Sequence, residues 1–209
     1  MTKIKICGLT TLPDALVAAE SGVDYLGFNF YLKSVRFVGL DACREITSVL
    51  KREYPEVQLV GVFVNSTVDE IKYTMEICSL DLAQLHGDES PQMLRELAGK
   101  AFKAFRGVPQ SLDGFDRESA PALLVDAAVK GAYGGTGLTA DWFAAAGLAQ
   151  RYPLLLAGGL NPENVAEAVR QVQPWGVDVA SGVEASPGRK DAGRLKAFVQ
   201  AVKVESKVF

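Results

Sequence analysis

The feature that most constrains the fold is a unit that recurs eight times along the chain. Each unit is a short apolar run, often β-branched, followed by Gly, Asn or Asp and then by a helix-like pattern. Continuous hydrophobicity of this kind is typical of parallel strands covered by helices. The runs begin near Ile4, Tyr25, Leu59, Leu82, Phe102, Leu123, Leu154 and Val177. Eight units fit a closed barrel better than an open sheet. We therefore predict an α/β fold, a (β/α)8 TIM barrel, with residues 1–209 forming a single domain.

Helical patterns fill the intervals between these runs. The segment after the fifth run, 110–118, contains a Gly and predicts a single turn at most. Thr11 is a candidate cap of the first helix, and Asn161 with Pro162 predicts the start of the one that follows the seventh strand. The predicted helices, these two included, cover residues 11–21, 40–52, 68–77, 91–97, 140–150, 162–172 and 189–203.

Composition and charge exclude several classes of protein. The formal net charge is −3 and the basic residues are dispersed, so the chain has no nucleic-acid footprint. No apolar run is long enough for a membrane span, and the N-terminus has no signal-peptide core. The three cysteines and single histidine lack metal-ligand spacing. We predict a soluble cytoplasmic protein that binds neither nucleic acid nor membrane and holds no metal.

The ends of the last two strands predict an anion site. The seventh strand ends in Gly158-Gly159 and the eighth in Ser181-Gly182. Glycine lets a backbone approach a ligand closely, and N–H groups near a helix start favour an anion. Barrels of this type often bind phosphate after strands seven and eight. Each turn alone would be an ordinary strand-to-helix connection, but the pair predicts a phosphate cup.

Two further strand ends carry groups that could move protons. Cys7 ends the first strand; a thiolate is a competent base, although a free cysteine is more often a small buried hydrophobe. Asp126 ends the sixth strand, where an acid is costly unless it is paired or belongs to a site. Strands one and six are not neighbours in a closed ring. The two side chains could therefore act from different sides of one ligand, as an acid and a base must.

Three other polar residues are candidates with less decisive positions. Arg36 lies in the loop after the second strand and could grip a carboxylate, or it could be a solvated loop arginine. His86 follows the fourth strand and has no second histidine to share a metal, so a structural or substrate-orienting role is favoured. Asp178 lies inside the eighth strand, and the sequence does not decide whether it points into the barrel or toward the helices.

Seven segments, taken together, resemble the phosphoribosylanthranilate isomerase family of tryptophan biosynthesis. They are residues 5–10, 27–30 with Ser34 and Arg36, 60–65, 84–87, Asp126 with 134–137, 156–165 and 176–184. The resemblance runs in order along essentially the whole chain. It implies a (β/α)8 barrel that isomerises N-(5-phosphoribosyl)anthranilate by an Amadori rearrangement, without metal or organic cofactor. A small phosphoribosyl compound is then the expected partner, and the protein is expected to be a monomer or homodimer.

The resemblance also implies roles for the candidate residues. Cys7 would be the general base and Asp126 the general acid, and Arg36 would bind the anthranilate carboxylate. The turns at Gly158-Gly159 and Ser181-Gly182 would bind the phosphate. His86 and Asp178 are further predicted substrate contacts. One departure is Val35, which stands where the family usually has Pro, so we expect a less constrained Arg36 loop.

Two other interpretations remain open on the sequence. The histidine-pathway aminoaldose isomerase performs the same type of rearrangement, but it would call for Asp where Cys7 stands. A non-catalytic phosphoribosyl-binding module would keep the phosphate cup, yet both Cys7 and Asp126 are present.

Overall fold

The fold is a closed barrel of parallel strands surrounded by helices. The computed structural model describes residues 1–115, 119–126 and 138–206. In this part of the chain, eight strands pair in sequence order, and β8 closes the ring on β1. The strands are β1 (Lys3–Cys7), β2 (Tyr25–Asn29), β3 (Gln58–Phe63), β4 (Leu82–Leu85), β5 (Ala101–Arg106), β6 (Leu123–Asp126), β7 (Leu154–Ala157) and β8 (Gly176–Val179). Each begins within one residue of its predicted start, so the predicted barrel is confirmed.

Alternation along the strands separates two apolar layers. Inside the ring, side chains such as Tyr25, Val60, Phe102 and Leu155 form one buried cluster that fills the interior of the barrel. The intervening strand residues face outward and join the apolar faces of the helices in a larger cluster. Since both faces of every strand are covered, the strands read as continuous apolar runs. The filled interior leaves only the two ends of the barrel for a ligand.

Helices connect the strands on the outside of the ring. They are α1 (Leu12–Glu20), α2 (Leu40–Glu53), α3 (Val68–Ile77), α4 (Pro91–Glu96), α5 (Leu138–Ala149), α6 (Val165–Val172) and α7 (Ala192–Glu205). The predicted cap at Thr11 is confirmed, because its side chain accepts a hydrogen bond from the Asp14 amide. Cys43 and Cys78 are buried among these helices.

The predicted start of the sixth helix is wrong. Asn161 accepts hydrogen bonds from the amides of Glu163 and Asn164, which makes a tight turn, and α6 begins at Val165 after Asn164. An Asn side chain can bond its own following backbone instead of capping a helix, and here the turn wins.

The start of the last helix is also later than predicted. The chain first forms a short antiparallel hairpin of β9 (Glu184–Ser186) and β10 (Arg189–Lys190), and β10 takes up the first two residues of the predicted helix. Gly188 in the turn has a φ of +79°, which a non-glycine residue rarely adopts. After the fifth strand, residues 110–115 form no helix, and the rest of the predicted 110–118 segment, residues 116–118, lies outside the described residues. Among those described, no helix has the length and apolar character needed to span a bilayer.

Candidate active site

A cavity of about 350 Å³ opens at the C-terminal ends of the strands. Every predicted site residue except Gly182 lines it, which confirms that strand ends converge here as parallel topology requires. These lining residues are Cys7, Arg36, His86, Asp126, Gly158, Gly159, Asp178 and Ser181. Asp178 therefore points into the barrel, a question that the sequence left open.

The turns after β7 and β8 pack directly against each other. A Cβ on Gly182 would lie 1.9 Å from the carbonyl oxygen of Leu160, so no other residue fits there without moving the backbone. Gly158 and Gly159 both have positive φ, +98° and +64°. Ser181 begins a single 3-10 turn that extends to Val183. The result is a pocket rim of closely spaced backbone, with Gly182 placed behind it as a spacer.

Cys7 lies at the end of β1 with its side chain buried. Burial raises the pKa of its thiol above the ordinary value; Lys5 and, more weakly, Lys190 oppose this rise, and Asp178 adds to it. Lys5 is fully buried, and its Nζ donates to Asp178 Oδ1 at 2.9 Å. Burial lowers the pKa of Lys5, but Asp178 and then Cys7 more than offset this, so the ammonium group stays charged. The buried charge of Lys5, two residues before Cys7 on the same strand, is thus compensated by Asp178.

Arg36 lines the cavity from the loop after β2 and pairs with Glu184. Its Nε and Nη2 donate to the two carboxylate oxygens of Glu184, each at 2.7 Å. Lys190 supplies a third contact, Nζ to Glu184 Oε1 at 3.0 Å, and also donates to the Cys7 carbonyl at 2.7 Å. Burial acts to raise the pKa of Glu184, but the side-chain hydrogen bond from Arg36, followed by the charge of Lys190, holds it below its usual range. One edge of the Arg36 guanidinium, Nε and Nη2, is therefore occupied by a carboxylate of the protein itself.

The loop that carries Arg36 is held at several points. The Ser34 hydroxyl accepts from the Arg36 amide at 3.1 Å and from Asn29 Nδ2 at 3.3 Å, and Asn29 Oδ1 accepts from the Tyr31 amide at 2.8 Å. Val35 itself is exposed. These contacts define one geometry for the loop, and its expected looseness relative to a proline-containing loop stays a prediction.

His86 and Asp126 face the cavity from β4 and β6. Gln84 Nε2 lies 3.3 Å from His86 Nδ1, so a donated amide hydrogen would leave the imidazole N–H on Nε2. Burial lowers the pKa of His86, with the charge of Asp126 acting in the opposite direction. A neutral imidazole near pH 7 can donate one hydrogen bond and accept another, which suits it to orient a ligand.

Three charged residues near the site had no role assigned from the sequence: Lys5, Glu184 and Lys190. Lys5 carried a usable signal, because it stands between the buried residues Ile4 and Ile6 inside a strand. No sequence signal pointed to Lys190, because it reaches Cys7 only through the β9–β10 hairpin, which was not predicted. In the described ranges, no group of three or more His, Cys, Asp or Glu residues could hold a metal ion.

A closed parallel barrel with a thiol, a carboxylate and two glycine-containing turns at its C-terminal mouth is the architecture of a (β/α)8-barrel enzyme. A family model described as N-(5'phosphoribosyl)anthranilate (PRA) isomerase matches residues 4–201. An N-(5'-phosphoribosyl)anthranilate isomerase of Geobacter sp. (strain M21) is 47% identical over 204 residues, 97% of this chain and 98% of that protein.

Solved structures agree with the family match. The crystal structure of phosphoribosyl anthranilate isomerase from Thermotoga maritima is 38% identical, with a TM-score of 0.85 over 98% of this chain and 100% of that one. A structure of the isomerase in complex with reduced 1-(o-carboxyphenylamino)-1-deoxyribulose 5-phosphate is 35% identical, with a TM-score of 0.79 over 98% and 100% of the chains. The chain belongs to the N-(5'-phosphoribosyl)anthranilate isomerase family and is an isomerase of tryptophan biosynthesis. The resemblance seen in the sequence is confirmed.

Proposed function

We propose that Asp126 and Cys7 are the general acid and general base of this isomerase. The reaction is the Amadori rearrangement of N-(5-phosphoribosyl)anthranilate to 1-(2-carboxyphenylamino)-1-deoxyribulose 5-phosphate. The observation that carries the assignment is that both side chains line one cavity from non-adjacent strands, β6 and β1. A substrate seated between them would meet the acid from one wall and the base from the other, as the two proton transfers require.

The reaction then proceeds by proton transfers alone. The Asp126 carboxyl group protonates the furanose ring oxygen, the bond from that oxygen to C1 breaks, and the nitrogen lone pair forms a C1=N iminium. Cys7 removes the proton from C2; the electron pair of that bond forms C1=C2, and the iminium π electrons return to nitrogen. The enolamine becomes the ketone by gaining a proton at C1 and losing one from the C2 hydroxyl. Exchange with water restores the thiolate and the carboxylic acid, so the scheme calls on no metal or organic cofactor.

The remaining predicted residues support binding. We propose that the phosphate lies against the turns at Gly158-Gly159 and Ser181-Gly182, where backbone donors can surround it. Arg36 would hold the anthranilate carboxylate through its Nη1–Nη2 edge, because its Nε–Nη2 edge already pairs with Glu184. His86 and Asp178 line the cavity between these ends and would contact the ribose part.

The assembly and setting of the enzyme are further parts of this proposal. We propose that residues 1–209 act as one domain, as a monomer or homodimer in the cytoplasm, on a small-molecule substrate. Support for the dimer comes from a neighbour, 36% identical, that is described as mutually generated monomers of the dimeric Thermotoga maritima isomerase.

Two single substitutions test the acid–base assignment. Asp126→Asn keeps the size of the side chain but cannot donate a proton, and Cys7→Ala removes the base. Each should lower kcat by at least about 10²-fold, the smallest effect usual for general acid or base assistance. Affinity for a product analogue, measured by calorimetry, should stay within a few-fold of the unmodified enzyme. Retention of more than about a tenth of kcat by Cys7→Ala would make Cys7 a packed thiol. His86 and Asp178 would then be the next candidates for the base.

A further inference from the structure

A buried lysine lies directly beneath the proposed base. Lys5 and Cys7 are two residues apart on β1, so both side chains point into the barrel. Lys5 pairs in register with Asp178 on β8, and its fully buried ammonium group donates to the Asp178 carboxylate. A charge placed in a barrel core is costly unless its environment compensates it. A lysine that only filled space here would be better replaced by an apolar residue.

Gly27 shows how closely Lys5 and Cys7 approach each other. This residue is the register partner of Cys7 on β2. A Cβ on Gly27 would lie 2.9 Å from Cys7 Sγ and 3.1 Å from Lys5 Nζ. The sulfur and the ammonium group therefore converge on the space that a side chain would occupy. At such separations an opposite charge favours ionisation of a neighbouring group.

Charged groups from four elements face the thiol. Lys5 on β1 and Lys190 on β10 favour the thiolate, and Asp178 on β8 opposes it. Arg36, in the loop after β2, also interacts with the thiol by charge. Of these, Lys5 has the largest effect in favour of the Cys7 thiolate. Its ammonium group is also the one that, with the Cys7 sulfur, lies close to where a Gly27 side chain would be. Lys190 and Arg36 are engaged by Glu184 as well.

We propose that Lys5 is a positioning residue that orients the Cys7 sulfur and stabilises its thiolate form, with Asp178 holding the ammonium group in place. The proposal rests on the assignment of Cys7 as the base. When the thiolate accepts the substrate C2 proton, one negative charge leaves the pair with Lys5, and Asp178 remains as the counter-ion. Lys5 thus stays charged through the whole cycle and itself transfers no proton.

Lys5→Met tests this through the thiol itself. The alkylation rate of Cys7 by iodoacetamide is measured across pH, with the modified peptide quantified by mass spectrometry. Because loss of a neighbouring opposite charge disfavours ionisation of the thiol, the variant should react about tenfold more slowly at pH 7. The acid limb of its kcat/KM profile should move to higher pH, so that part of the lost activity returns as pH rises. Lys5→Arg should recover part of the thiol reactivity.

Lys103→Met is the matched control. Lys103 is another buried lysine, on β5, and its Nζ pairs with Glu89 Oε2 at 2.7 Å. Its removal breaks an equivalent buried ion pair and should leave the Cys7 alkylation rate within about twofold of the unmodified enzyme, because its Nζ contacts among the described residues are Glu89 and the carbonyls of Leu85 and Gly87, not the thiol. A Lys5→Met enzyme that loses activity equally at every pH, with an unchanged alkylation profile, would reduce Lys5 to a structural role.

A crystal structure of the unmodified enzyme gives a test that does not depend on a variant folding. Lys5 Nζ should lie within about 5 Å of Cys7 Sγ, and a separation beyond about 6 Å would overturn the proposal. The test is also independent of the catalytic assignment. If Cys7→Ala retained activity, the base would be wrong, while the alkylation profiles would still report whether Lys5 controls the thiol.

Discussion

At the scale of single residues, the site depends on how its charges share partners. Glu184 accepts from both Arg36 and Lys190, so one buried carboxylate orients two cations around Cys7. Charge-assisted, bidentate pairs of this kind are the most directional contacts that side chains make. The guanidinium of Arg36 is consequently held in place before any ligand arrives, which would limit the entropy lost on binding the proposed anthranilate carboxylate.

Removal of Arg36 should weaken substrate recognition more than chemistry. A charge-assisted hydrogen bond contributes about 1.5–3 kcal/mol, so Arg36→Ala should raise KM by about 10- to 150-fold with a smaller change in kcat. The penalty should shrink for a substrate analogue that lacks the anthranilate carboxylate. Steady-state kinetics with both compounds measures this, and Arg44→Ala, at an exposed arginine on α2, is the control. Equal penalties for the two compounds would show that Arg36 serves the loop structure and not the carboxylate.

At the scale of elements, the proposed phosphate site depends on two turns that must pack backbone against backbone. Gly182 is in contact with the Leu160 carbonyl, whereas the Cβ position of Gly159 faces open space. The two glycines are therefore required for different reasons: one for close approach and the other only for its positive φ of +64°. Substitution of each by alanine separates these two effects.

Gly182→Ala should damage anion binding more than Gly159→Ala. A methyl group on Gly182 must push the turns apart, and overpacking of this kind costs about 1–3 kcal/mol of folding free energy. Gly159→Ala meets only the strain of left-handed backbone, about 1–2 kcal/mol, without displacing a neighbour. Inhibition by inorganic phosphate and the free energy of unfolding in urea should both be measured. Unchanged phosphate inhibition in Gly182→Ala would place the anion elsewhere on the barrel.

At the scale of the whole molecule, another buried ion pair, Lys103–Glu89, joins the loops on the far side of the mouth. Glu89 follows β4 and accepts from Lys103 Nζ at 2.7 Å and from the amides of Asn65 and Gly87 at 2.8 Å each. Glu89 is itself buried. One carboxylate thereby ties β5 to the loops after β3 and β4.

Breaking this pair should be strongly destabilising. Lys103→Met leaves the Glu89 carboxylate buried without its counter-ion, which typically costs about 3–5 kcal/mol. The double variant Lys103→Met/Glu89→Gln should lose less than the sum of the two single losses, because the groups interact. Urea unfolding monitored by circular dichroism measures both, and the exposed Arg44–Asp41 pair supplies a control with little expected effect. Additive losses would show that the pair contributes no coupling energy.

Much of the architecture could be predicted from the order of residues alone. Buried strands need continuous apolar runs and must be followed by turns, and both signals are local, so strand starts were placed within one residue. Parallel topology then brings strand ends to one face, which explains why eight of the nine predicted site residues line the cavity. The exception, Gly182, lies behind the rim, because its role is to let two turns touch.

Other features were decided only when distant segments met. Asp178 points into the barrel because its register on β8 sets it beside Lys5, which is 173 residues away in the chain. Arg36 and Lys190 converge on Glu184 only because the β9–β10 hairpin folds back over the end of β1. Local hydrophobic periodicity encodes which residues are buried, but the partner of each buried charge depends on contacts between segments that the pattern does not relate. The chain thus determined where the chemistry would lie, and the closed barrel determined which charges act on Cys7.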